Sequence, residues 1–126
     1  MINLVAVALG GAVGAMGRYG LVLAISRLGV SHFPWATLVV NVSGSFLIGL
    51  IWTLLEQRSL LDSPWRALLV VGLLGGFTTF SSFSLETLAL MQQMKWGAVV
   101  GNVGLSVVGC LVAVGFGVWV GNVFGS

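Results

Sequence analysis

The chain has 126 residues, 58% hydrophobic and 6% charged, with a formal net charge of +2. Roughly a quarter of an average soluble domain is charged, so five basic and three acidic residues cannot cover a water-exposed surface. Lipid is the solvent that suits such a chain. At about 20 apolar residues per helical span, four spans nearly exhaust residues 1–126 as a single four-helix transmembrane domain.

The first span is expected from about residue 2 to 26, interrupted only by Arg18. It has no Lys or Arg before its apolar run and runs too long for a secretory signal peptide. Two readings of Arg18 stand. It pairs with a partner or faces a water-filled vestibule, or it snorkels to the headgroups. The second span is expected over about 34–55, without a formal charge. Thr37 and Asn41 are four residues apart and share a helix face. An asparagine offers two N–H donors and no charge, which suits an anion that must be coordinated without being trapped. A plain helix–helix hydrogen bond is the alternative.

The third span is expected from Pro64 or Trp65 to about Met94, with Glu86 inside it. Its centre reads Gly72-Leu73-Leu74-Gly75-Gly76-Phe77-Thr78-Thr79-Phe80-Ser81-Ser82-Phe83-Ser84-Leu85-Glu86. Adjacent glycines followed by two threonines and three serines are a poor recipe for a lipid-facing helix. Gly75-Gly76 predicts a break in mid-membrane. The backbone groups freed there must be satisfied within the protein or by an ion, and discontinuous helices are a recurring way to build ion sites. Past the break, Thr79, Ser82 and Glu86 fall on one stripe, and Phe80 and Phe83 on its neighbour. A glycine-kinked packing helix is the alternative. The fourth span is expected over about 96–124, uncharged. Asn102, Ser106 and Cys110 follow one another by one turn. They are expected to line the same path as Asn41 or to bond between helices. Cys110, the single cysteine, lacks the neighbours a metal cluster needs and reads as a small buried side chain.

The predicted connections are short: 27–33, 56–63 and a tight turn at Met94-Lys95. Trp35, Trp65, Trp96 and Trp119 lie near span ends, as interfacial anchors do. His32 reads as an interfacial residue. The pairs Gly10/Gly14, Gly72/Gly76, Gly97/Gly101 and Gly117/Gly121 predict close helix packing. Lys and Arg in the loops divide two against two: Arg58 and Arg66 on one side, Arg27 and Lys95 on the other. Such a count gives almost no orientation signal. Either other features set a single topology, or the chain inserts both ways and pairs as an antiparallel dimer.

The run from Gly75 to Ser84 resembles the signature of the CrcB/Fluc fluoride channel family. The resemblance extends over essentially the whole chain. It includes Gly-Gly-Ala-Val-Gly-Ala-Met-Gly-Arg18-Tyr19 in the first span and Thr37-Leu-Val-Val-Asn41-Val-Ser-Gly44-Ser-Phe46 in the second. It implies an all-α, multi-pass protein of the bacterial plasma (inner) membrane. The third helix would be broken, and two antiparallel copies would form a dual-topology homodimer with two fluoride pores. It further implies a structural sodium ion at the dimer interface, held by backbone carbonyls of Gly75 and Thr78. Phe80 and Phe83 would form the pore phenylalanines, with Asn41 as the pore asparagine. Ser82, Glu86 and Thr37 would belong to a polar track, Ser106 to a fourth-span hydroxyl position, and Arg18 to a vestibule. Two departures are visible: Asn102 stands where many members carry tyrosine, and Ala36 where glycine is usual.

The residue types suit fluoride. Burying a bare small ion in a low-dielectric medium costs on the order of 20 kcal/mol, so donors must replace its water. A lysine or arginine in the narrows would hold the ion too tightly for conduction. Asn41, Ser81, Ser82 and Ser106 offer neutral donors, and the rims of Phe80 and Phe83 carry positive partial charge. A small proton-coupled multidrug exporter is the rival, but it needs a carboxylate in the first span, which has none. A non-transporting scaffold is a further rival. One His, one Cys and no nucleophile–base pair make an enzyme a poor reading.

Overall fold

The computed structural model describes residues 1–29 and 32–125; Val30 and Ser31 of the predicted first loop, and Ser126, lie outside them. Four apolar helical spans are present, Ile2–Ser26, Trp35–Gln57, Pro64–Gln92 and Trp96–Gly125. At about 1.5 Å per residue each exceeds the roughly 30 Å hydrocarbon thickness of a bilayer. The first two spans and the last are the unbroken helices α1 (Ile2–Ser26), α2 (Trp35–Gln57) and α6 (Trp96–Gly125). The third is composite. It opens with α3 (Pro64–Arg66), continues through wider π-type turns over Ala67–Leu74, narrows to α4 (Gly75–Phe77) and resumes as α5 (Phe80–Gln92). Pro64 occupies the first helical turn, where its missing N–H has no helical partner to lose. The turn into α6 falls at the expected place: Lys95 N–H donates to the Leu90 carbonyl at 3.0 Å, and Met94 has φ of 61°.

Glycine sets the packing. α1 lies against the first half of the third span, where a Cβ on Gly72 would sit 2.8 Å from the Val7 carbonyl oxygen. One on Gly76 would sit 2.7 Å from that of Gly11. α2 and α6 interlock the same way: a Cβ on Gly117 would come within 2.9 Å of the Leu50 nitrogen. A bilayer supplies no hydrophobic force between helices, so this backbone-to-backbone approach is a main source of cohesion. Gly97 and Gly101 do not act this way within the chain. Gly97 has open space at its Cβ, and Gly101 meets only the Phe33 ring at 3.8 Å. Among the described residues buried apolar side chains are few, Val40, Leu55, Leu74, Leu90, Val99 and Ala113, and many large apolar residues face outward.

The break lies three residues past its expected place, at Thr78-Thr79 and not Gly75-Gly76. Gly75 is helical, and Thr78 (ψ 159°) and Thr79 (φ −151°, ψ 122°) are extended. The physical reason is that Gly76 is committed to contact with α1, while Thr78 N–H keeps its helical bond to the Leu74 carbonyl and Thr79 finds other partners for the bonds it loses. The Thr79 hydroxyl accepts from Ser82 N–H at 3.1 Å and so caps α5. Thr78 Oγ1 donates to the Leu74 carbonyl at 2.9 Å.

Candidate ion pathway at the helix break

α2 carries Asn41 to the level of the break. Asn41 Nδ2 donates to the Thr79 carbonyl at 2.9 Å, and Thr79 N–H donates to Asn41 Oδ1 at 2.8 Å. This two-way clamp fixes the orientation of the carboxamide and satisfies a peptide group that would otherwise stand bare inside the membrane. One of the two Asn41 N–H groups remains beyond the clamp. From α1, Arg18 Nε donates to the Gly76 carbonyl at 3.2 Å. Arg18 therefore pairs with backbone at the end of the first half-helix, and it also lines a cavity. Replacing Asn41 with Leu is expected to orphan both Thr79 groups and destabilise the fold by about 1–3 kcal/mol for each. Asn41→Asp, which keeps the acceptor for Thr79 N–H, should lose less. Thermal unfolding in detergent reads the order wild type, Asn41→Asp, Asn41→Leu.

Cavities flank the break. One, of about 340 Å³, is lined by Arg18, Tyr19, Thr37, Thr79, Ser82 and Glu86 among others. A second, of about 460 Å³, is lined by Asn41, Gly75, Thr78, Thr79, Phe80, Phe83, Ser106 and Cys110 with apolar neighbours. A third, of about 320 Å³, shares Thr37 and Glu86 with the first and opens toward His32, Gln93 and Lys95. Thr79 belongs to the first two cavities, so the break stands between them.

The predicted residues thus gather into two groups. Arg18, Thr37, Ser82 and Glu86 surround the first cavity, and Thr37 Oγ1 donates to Glu86 Oε1 at 2.5 Å. That hydroxyl proton is committed to the carboxylate and is no free donor. Asn41, Phe80, Phe83 and Ser106 surround the second cavity with Gly75 and Thr78. The Phe80 and Phe83 ring centroids are 5.4 Å apart at 40°. Ser106 Oγ is buried and, among the described residues, has no hydrogen-bond partner. Ser81 falls outside both groups; it is exposed, with its Oγ 3.3 Å from Thr79 Oγ1. Asn102 takes the second of its two expected roles, a bond between helices. Ser106 and Cys110 share the cavity of Asn41, but Asn102 turns to Thr87 and donates to its hydroxyl at 2.9 Å. Helical spacing along α6 leaves Asn102 level with the body of α5, not with the break.

The break sets two backbone polarities side by side. α5 begins at Phe80, so the positive end of its dipole lies beside both cavities. The half-helix ending at Phe77 presents carbonyls. The Thr79 amide, the ordinary helical partner of the Gly75 carbonyl, is taken by Asn41. Sequence reasoning missed the Asn41–Thr79 clamp and the Arg18–Gly76 bond. A threonine three residues before a serine at a helix start is a legible cap, but nothing local to Asn41 or Arg18 names its partner.

Four apolar spans, a third interrupted near its middle, and polar side chains collected at the interruption define a multi-pass membrane protein with a discontinuous helix. The family model for CrcB-like protein, Camphor Resistance (CrcB), matches residues 5–118, and the chain belongs to this family. A fluoride-specific ion channel FluC of Paramagnetospirillum magneticum is 50% identical over 125 residues, covering 98% of this chain and 94% of that protein. One from Opitutus terrae is 50% identical over 119 residues, 93% of this chain and 87% of its own. One from Chloroflexus aurantiacus is 46% identical over 126 residues, 99% of each. These relatives are named as ion channels, not enzymes, in agreement with the sequence reading.

Proposed function

We propose that the chain is a fluoride-selective channel of the bacterial plasma membrane that lets fluoride leave the cytoplasm passively. Relatives at about half identity over nearly the whole chain carry the name fluoride-specific ion channel. The observation that carries the reading is the cavity at the break, where Asn41, the Phe80 and Phe83 rings and the unpartnered Ser106 hydroxyl meet without a formal charge. Neutral donors and ring rims replace the hydration of a small anion at modest strength, so the ion can also leave. Arg18 lines the adjoining cavity and raises the local anion concentration without standing among these groups. The exporter reading is not favoured by the relatives, and Glu86, the acid that lies away from the span ends, is engaged by Thr37.

The functional unit in this reading is an antiparallel, dual-topology homodimer. A lone chain leaves Gly75, Phe80 and Ser81 exposed beside an extended backbone segment in mid-membrane, a poor surface to offer lipid. A second copy covers it, and the two-against-two loop charges permit the opposite insertion. Reporter fusions at one terminus should then signal from both sides of the membrane; signal from one side alone contradicts the pairing.

The break also fits a structural sodium ion. The Gly75 carbonyl has lost its usual amide to Asn41, and the extended Thr78 turns its own carbonyl out of the helical ladder. Carbonyl oxygens suit a hard alkali cation. The ion, held by Gly75 and Thr78 of each copy, would add a fixed positive charge near the anion path.

A growth assay tests the function in cells. A bacterium deprived of its own fluoride export should regain growth in fluoride when it expresses this chain. Failure to protect, with the chain present in the membrane, contradicts the proposal.

A further inference from the structure

Asn102 lines neither cavity at the break, yet it is 2% exposed and polar in the middle of a membrane-facing bundle. Its Nδ2 donates to Thr87 Oγ1 at 2.9 Å, and Thr87 Oγ1 donates to the Phe83 carbonyl at 2.7 Å. Two hydrogen bonds in series thus run from α6 to the backbone of a phenylalanine that lines the uncharged cavity. Among the described residues this is the one side-chain hydrogen bond joining α5 to α6. Thr87 lies one turn beyond Phe83 on α5, and Ser106 lies one turn beyond Asn102 on α6. The tie therefore sits a single turn from the place where Phe83 and Ser106 border the same cavity.

We propose that Asn102 and Thr87 are positioning residues. They hold α5 to α6 so that the space between the Phe83 ring and the Ser106 hydroxyl admits fluoride and refuses the larger chloride. The inference rests on the fluoride-channel reading and extends it to residues outside the pathway. Its physical basis is that lipid gives these helices no hydrophobic reason to stay together, so a polar tie and close packing govern their spacing. Thr87 is well suited to the task. A threonine bonded back to the carbonyl four residues earlier still has lone pairs to offer, and here it gives one to Asn102. Each bond polarises the other.

The test compares fluoride and chloride efflux from proteoliposomes holding the wild type, Thr87→Ser, Thr87→Val, Asn102→Leu and the Thr87→Val/Asn102→Leu pair. Thr87→Ser keeps the hydroxyl and should keep the wild-type ratio. Thr87→Val and Asn102→Leu should each lower the fluoride-to-chloride ratio by about threefold or more, the scale of one polar contact between membrane helices. The pair should lose no more than either single variant, because both break the same bond. It also leaves no polar group orphaned, so it carries the test should a single variant fail to fold. An unchanged ratio in the pair overturns the proposal, as does a lowered ratio in Thr87→Ser. Wild-type vesicles that pass no fluoride overturn the channel reading and remove the proposal with it, an outcome distinct from a working channel with unchanged selectivity.

Discussion

Fluoride efflux is expected to fall about tenfold when Phe80 or Phe83 is replaced by isoleucine, a loss on the scale of a specific aromatic contact. Isoleucine preserves an apolar wall of similar bulk but has no quadrupole. Phe80 is the sharper case, since its side chain is 78% exposed in the single chain and contributes little to the core. Its replacement should leave the protein folded while removing a ring edge from the cavity that holds Asn41 and Ser106. Phe83 is half-buried, and its ring stands 5.4 Å from that of Phe80, so its replacement disturbs both rings at once. Efflux measured at equal protein per vesicle reads both effects. Wild-type flux in both variants would mean that the rings merely fill space.

The second large effect concerns folding. Gly14→Ala is expected to destabilise the protein by about 2–3 kcal/mol, at the upper end of overpacking costs. A Cβ at Gly14 overlaps the Leu73 carbonyl oxygen and lies 2.9 Å from the Phe77 nitrogen, and neither backbone group has a soft side chain that can give way. Relief requires α1 to move away from α4. That motion also draws Arg18, one turn further along, from the Gly76 carbonyl. Gly20→Ala is the control, since a Cβ there has nothing within 4 Å. The amount of folded protein recovered in detergent should drop for Gly14→Ala and hold for Gly20→Ala.

The spans were legible because lipid imposes one simple rule, about 20 apolar residues per crossing, and the chain obeys it four times. A break in the third span was legible too, but its location was not. Read locally, Gly75-Gly76 is the weakest helical link. In the fold, Gly76 is held against Gly11 of α1, and the chain leaves the helix at Thr78 and Thr79, where Asn41 takes over the lost bonds. Local propensity yielded to a contact from a residue 38 positions away. The π-type turns over Ala67–Leu74 had no signal at all, since that stretch is uniformly apolar save one glycine and has no residue that marks a change of helical width. Within the candidate pathway, helical spacing grouped Ser82 with Glu86 and Ser106 with Cys110, as found. Spacing on one helix cannot say which neighbour that helix meets, so it leaves Asn102 open between the path of Ser106 and a bond to another helix; the partner is Thr87.

The most direct test of the account is paired fluoride and chloride efflux from liposomes containing only the purified wild-type chain, driven by an outward gradient with charge movement compensated and no proton gradient imposed. The account predicts rapid fluoride loss and retained chloride. Vesicles that keep their fluoride, or that lose both halides alike, contradict it.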